Sequence, residues 1–325
     1  MTTTNPTVAA ANNPPELPAG PEAVSRHAGR SLWSDAALRI FRDRSAVVCL
    51  AVIVVYALIA VIAPLCVPDW KNTHDYDRIN LPPSWQSPLG TDALGRSVLT
   101  KTLLGANTSM TVALLANLIA VPLGMAVGAA AGYFGKTIDD VIVWLYSTLL
   151  SIPGIILLIA IRFAFKDKVW HLGPHMALDL DQGLGGMAIA LGVLSWIGTC
   201  RLVRAETMKI RELDYVLAAR AIGTHPLTIL RRHILPNVMH IGLIQFSLGF
   251  IGAITAEVML SYLGLGVGPG VPSWGSMINS ARMDLVVGRW WELTSAVGAM
   301  FMLVLALNIF GDRLRDAFDP RLRTI

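Results

Sequence analysis

The stretch VVCLAVIVVYALIAVIAPLCV, residues 47–67, holds 21 residues without a single charge. A helix rising 1.5 Å per residue needs about 20 apolar residues to cross a hydrocarbon core of roughly 30 Å, so this run is long enough to span a membrane. Five further runs follow, at about 111–133, 141–164, 184–200, 238–263 and 293–310. Lipid offers no partner to a backbone N–H or C=O, so runs of this length are read as helices, which satisfy those groups internally. The expected fold class is all-α: a polytopic transmembrane bundle of six helices.

The composition agrees. Hydrophobic residues make up 54% of the 325 and charged residues only 15%, where a globular domain carries about 25% charge. The net charge of +4 invites a nucleic-acid reading, but in a polytopic chain basic residues mark cytoplasmic loops, so no nucleic-acid partner is expected. With the N-terminus inside, 17 of the 26 Lys and Arg fall on the inner side and 9 on the outer, which places both termini in the cytoplasm. Residues 1–30, rich in Pro, Ala, Asn and Thr, read as a disordered cytoplasmic tail preceding a membrane domain over 31–325. No cleavable signal is expected, because the first apolar run begins only near Val47, behind Arg39, Arg42 and Arg44.

Within the second run, Ala116, Ala120, Gly124, Gly128 and Gly132 recur every fourth residue. Such a flat face lets a second helix approach closely, either within this chain or across a subunit interface. Pro122 and Pro153 are expected to kink their helices. Cys49, Cys66 and Cys200 are widely spaced and suggest neither a disulfide nor a zinc site.

The longest polar interruption after the tail, about 201–237, is centred on DYVLAARAIGTHPLTILRRHILPNV at 214–238. Residues 215–222 read as a short Ala-rich helix stopped by Gly223 and Pro226. Such a stub either offers its apolar side to a partner or lies on the lipid surface. A second turn-rich segment, SYLGLGVGPGVPSWGSMI at 261–278, leaves the fifth run on the outer side; it is expected to set Trp274 near the membrane boundary. Glu257 lies inside that fifth run, where an ionised side chain costs about 2.5–3.5 kcal/mol on the insertion scale. It either lines a path or packs helices through hydrogen bonds.

These segments resemble the permease subunits of ABC importers, and the peptide and nickel branch in particular. The run at 214–238 is similar to that family's signature, with Ala218, Ala219, Gly223, Leu235 and Pro236 in matching positions; Leu217 stands where the signature has Glu and His233 where it has Ile. The outer segment resembles the family's FLGLG and SWG element, as do SPLGTDALGRSVL at 87–99, GDRLRDAFDPRLR at 311–323 and GRSLWSDA at 29–36. Ser97 departs from the Asp usual after Gly-Arg.

The resemblance implies a type I ABC importer permease fold in a bacterial inner membrane, acting as the second permease of an oligopeptide or dipeptide importer. It implies a homologous second permease, two cytoplasmic ATPase subunits and an extracytoplasmic peptide-binding protein as partners. The ATPases would dock on a coupling helix carrying Tyr215, Leu217, Ala218, Ala219 and Arg220, with Gly223, Leu235 and Pro236 behind it. Glu257, Ser261, Gly264, Gly266 and Trp274 become pathway or gate candidates.

No catalytic residue, metal or cofactor is expected on this chain. GKT at 135–137 lacks the Gly that a phosphate-binding loop needs at position 130, which is Ala. His171, His175, Asp179 and Asp181 share an outer loop, but Gly173 and Pro174 interrupt any helix that would align the two histidines. Importers of nickel, opines, glutathione or antimicrobial peptides remain near rivals for the cargo. A secondary transporter or a channel that works without ATPase partners is the rival from another class.

Overall fold

The computed structural model describes residues 32–318, apart from 69, 166, 174–175, 181–182 and 269. The tail at 1–30 and the end of the closing motif lie outside the described residues, as do His175 and Asp181.

The chain opens with helix α1, Leu32–Arg42, and α2, Arg44–Cys66. Asp43 separates them and caps α2, accepting the Ser45 N–H at 2.9 Å. Helix α3, Val98–Phe134, has 37 residues and begins 13 positions before the apolar run expected at 111. Its first turns carry Lys101, Thr102, Asn107, Thr108 and Ser109, which hydropathy alone assigns to a loop; here Thr102 bonds to Val98 O one turn back and the other four bond to neighbouring elements. Ser97 caps it.

The expected helix at 141–164 is broken into α4, Lys136–Leu150, and α5, Gly154–Ala164, which meet at 92°. Pro153 therefore breaks the span where a kink was expected, since it offers no N–H and forces the residue before it out of helical geometry. A two-stranded antiparallel hairpin follows, β1 Val169–Gly173 and β2 Met176–Asp179.

Helix α6, Leu184–Ile210, runs ten residues past the apolar stretch. Then come α7, Asp214–Ala221, the single turn α8, Pro226–Ile229, and a π-helical turn over Leu230–Ile234 that leads into α9, Leu235–Tyr262. Helices α10, Trp274–Val286, and α11, Trp291–Phe318, complete the chain. Among the described residues five helices are long and apolar enough to span, and six if the bent α4–α5 pair counts as one.

The core centres on α3. A Cβ added at Gly124, Gly128 or Gly132 would come within 2.6, 2.5 or 2.7 Å of the carbonyl oxygens of Trp196, Cys200 and Arg204 on α6. The small-residue stripe is thus a contact inside this chain. Helices α2, α9 and α11 pack around the same α3 scaffold, leaving large apolar side chains such as Val61, Trp144 and Phe301 outward.

Candidate functional site

At one end of the bundle, α7 lies across the ends of α3 and α9. Its Val216 and Ala219 are buried against Tyr133, Ile229, Ile234 and Val238. The rest of its surface is open: Tyr215 and Leu217 are exposed, its C-cap Ile222 is 82% exposed, and Leu227 of the following α8 is 62% exposed. The helix stops in a Schellman turn. Thr224 N–H bonds to Ala219 O at 3.1 Å and Gly223 N–H to Arg220 O at 3.0 Å, with Gly223 at φ +81°, a conformation that favours glycine.

Several contacts fix this end. The Arg220 guanidinium stacks 5.4 Å over the Tyr133 ring, Arg211 donates to Gly132 O at 2.8 Å, and Arg204 reaches Asp139 of α4 at 2.7 Å. Asn237 donates to the Tyr215 hydroxyl at 3.1 Å. Behind α7, the N–H of Leu235 bonds to Leu230 O, five residues back. Pro236 explains that wider turn: in a regular helix its ring would press on the Arg232 carbonyl, four residues earlier. Ala218 is exposed and Leu235 half-buried beside these groups.

The far end is closed by polar groups buried inside the chain. Glu257 of α9 is fully buried; it accepts Ser109 Oγ of α3 at 2.6 Å and Ser261 Oγ at 2.8 Å. One carboxylate thus joins α9 to α3, and the Ser273 side chain caps the start of α10. Trp274 begins α10, so the turn-rich segment gives way to helix there. Its indole is fully buried, lying against Gly105 and donating to Thr102 O at 3.0 Å. Hydropathy cannot show that α3 extends up beside this ring and covers it. Gly264 takes φ +79° to end α9, and Gly266 lends its carbonyl to buried Arg162 of α5 at 3.1 Å. Arg162 also donates to Leu180 O at 2.8 Å and Leu265 O at 3.1 Å.

Sequence reasoning missed the charges beside this closure. Lys101 Nζ lies 2.7 Å from Glu292 and 3.1 Å from Asp92, and Arg96 pairs with Asp92 at 3.0 Å while stacking on Trp70. Burial pushes the Asp92 carboxyl upward, yet the Lys101 charge, the N–H groups of Arg96 and Leu94 and the Arg96 charge outweigh it. They hold that carboxyl below the ordinary carboxylate value. The available signal was a lone lysine, Lys101, between two threonines ten residues before an apolar run. Among the described residues no group of three His, Cys, Asp or Glu could hold a metal.

Residues 120–324 match the family described as binding-protein-dependent transport system inner membrane component, and 31–83 match the N-terminal TM domain of oligopeptide transport permease C. The dipeptide transport system permease protein DppC of Bacillus subtilis is 34% identical over 90% of this chain and 87% of its own. The glutathione transport system permease protein GsiD of Pectobacterium atrosepticum is 33% identical over 91% and 93%, and that of Escherichia coli O157:H7 33% over 90% and 92%. The long membrane-spanning helices and these matches converge: the chain belongs to the binding-protein-dependent inner membrane components, as a permease subunit of the peptide branch of ABC importers.

Proposed function

We propose that this subunit forms half of the path of an ATP-driven importer of short peptides, with α7 as the element on which an ATPase subunit docks. The observation that carries the reading is the open apolar surface of α7 and the turn after it: Tyr215, Leu217, the C-cap Ile222 and Leu227 of α8 are exposed, while Val216 and Ala219 pack on α3 and α9. An exposed apolar surface on a rigid frame suits a protein partner. In this reading the α7 end and both termini face the cytoplasm, in line with the bias of Lys and Arg. A homologous second permease supplies the other half of the path, two ATPases dock from below and an extracytoplasmic binding protein delivers cargo from above.

ATPase closure would push α7, and the π turn at Leu230–Ile234 would pass that movement into α9 and so to Glu257, Ser261 and Trp274. Glu257 has its carboxylate turned into its own fold, so its place in gating is to hold α3 and α9 together as the far end opens and closes. Two relatives named for glutathione transport favour a second cargo reading, a small peptide-like thiol. No covalent chemistry is assigned to this chain; ATP and Mg would be bound by the partner subunits.

Affinity purification of the tagged chain from its native membrane, followed by mass spectrometry, tests the docking. The wild type should bring down a second permease and two kinds of ATPase or two copies of one. Ile222→Asp and Gly223→Pro should lose the ATPases while keeping the permease. Chain recovered alone, moving substrate without ATP after reconstitution, would replace this reading with a gradient-driven transporter.

A further inference from the structure

The corner between α10 and α11 exposes apolar side chains that neither the docking end nor the buried closure uses. Val286 is 84% and Trp290 54% exposed, and Met283, Leu285 and Val287 are exposed beside them. This is not loose chain. Arg289 N–H bonds to Asp284 O at 2.9 Å and Gly288 N–H to Leu285 O at 3.0 Å, the paired bonds of a Schellman turn, with Gly288 at φ +83°. The Arg289 guanidinium also reaches Asp284 at 3.3 Å. Trp290 meets Trp291 edge-on at 6.5 Å between ring centres, and Trp291 is buried with its indole N–H on Thr91 O at 3.1 Å.

Two observations say what covers this rigid corner. The first is its depth. Between Glu292 and Asp312, α11 carries 19 residues without charge. At 1.5 Å per residue they make about 28 Å, which fills a hydrocarbon core of roughly 30 Å and sets residues 283–290 at its outer edge. That is where indole rings are favoured and where arginines reach toward headgroups. The second is continuity with the lipid side of α11. Thr294 N–H bonds to Trp290 O at 3.0 Å, so Trp290 is in helical register, and it precedes the exposed Thr294, Val297, Phe301 and Leu305 by 4, 7, 11 and 15 residues. That spacing keeps all five on one face. The apolar face that α11 turns outward through the bilayer therefore runs unbroken onto the corner.

We propose that the α10–α11 corner is an interfacial lipid anchor. Met283, Val286, Val287 and Trp290 insert at the boundary between headgroups and acyl chains of the outer leaflet, and the exposed Arg282 and the adjoining Arg289 face lipid phosphates. The anchor pins the outer ends of both helices. Through Ser280 Oγ on Glu292 at 3.3 Å and Lys101 on the same carboxylate, it ties lipid to the buried closure. The inference rests on α11 spanning the membrane, and neither on the cargo nor on α7.

The test uses the assembled importer in lipid nanodiscs, with a nitroxide placed singly at Val286→Cys, Trp85→Cys or Phe301→Cys in a Cys66→Ser background. Collision rates with oxygen, which concentrates in lipid, and with a water-soluble nickel chelate are compared. At 286 oxygen should be favoured several-fold over the values at fully exposed Trp85, approaching those at Phe301. Chelate access at 286 equal to that at 85 overturns the anchor, and so does protection from both reagents, which would mean a protein covers the corner. If Phe301→Cys itself is open to chelate, the spanning of α11 fails first, and the two failures are told apart.

Discussion

Lys101 and Glu292, 191 residues apart in the chain, meet at 2.7 Å with both side chains buried, and Asp92 shares the same ammonium at 3.1 Å. The contact joins the first turn of α3 to the first turn of α11. It ties the far ends of these two helices together independently of Glu257.

Removing the lysine should be severe, because it strands two buried carboxylates near each other. Lys101→Met is expected to lower stability by about 3–5 kcal/mol, the range for a broken buried pair. Adding Glu292→Gln should recover part of that, since Asp92 keeps Arg96. Thermal unfolding in detergent checks both; an unchanged midpoint for Lys101→Met would sink the network's importance.

Acid should loosen the same end. Asp92 has its carboxyl held below the ordinary value when folded, so the unfolded chain takes up its proton first. Its contribution is therefore present above the ordinary carboxylate range and is lost as pH falls through the lowered folded value. The unfolding midpoint of Asp92→Asn should depend less on pH between 6 and 3 than that of the wild type, and a parallel pair of curves would contradict the assignment.

Glu257 separates two roles by its variants. Glu257→Ala leaves the Ser109 and Ser261 hydroxyls without their buried acceptor, at about 1–3 kcal/mol each, whereas Glu257→Gln keeps an acceptor and should lose less. Uptake by reconstituted vesicles is the second measurement. Full uptake by Glu257→Ala would remove any part for this residue in gating.

The glycine stripe makes a sharp contrast with an open glycine. Gly128→Leu must push its side chain into the Cys200 backbone, 2.5 Å from the first added carbon, so little folded protein should be recovered. At Gly252 of α9 nothing lies within 4 Å, and Gly252→Ala should be tolerated or stabilise the helix by up to about 1 kcal/mol. Monodisperse yield by size exclusion compares them directly.

Much of the fold was legible because its causes are local. A run such as residues 47–67 declares a spanning helix by hydropathy, and Gly223 with Pro226 declares where the stub helix must stop, since each acts through its own backbone geometry. The candidate docking residues were legible for the same reason, being contiguous in sequence.

The far end was not legible, because its polar side chains are satisfied by partners far along the chain. The first 13 residues of α3 look like a loop until Glu292, Glu257 and Pro272 are seen to take the bonds of Lys101, Ser109 and Thr108. Trp274 reads as an interfacial indole until α3 rises beside it, and the stripe from Ala116 to Gly132 gives no partner until α6 lies on it. The sequence by itself determined that this is a many-helix membrane protein with an exposed stub helix, because hydropathy and turn chemistry act within a few residues. Only the tertiary structure decided which buried charges pair, which helix faces stay exposed and what Glu257 holds, because those depend on helices brought together across the whole chain.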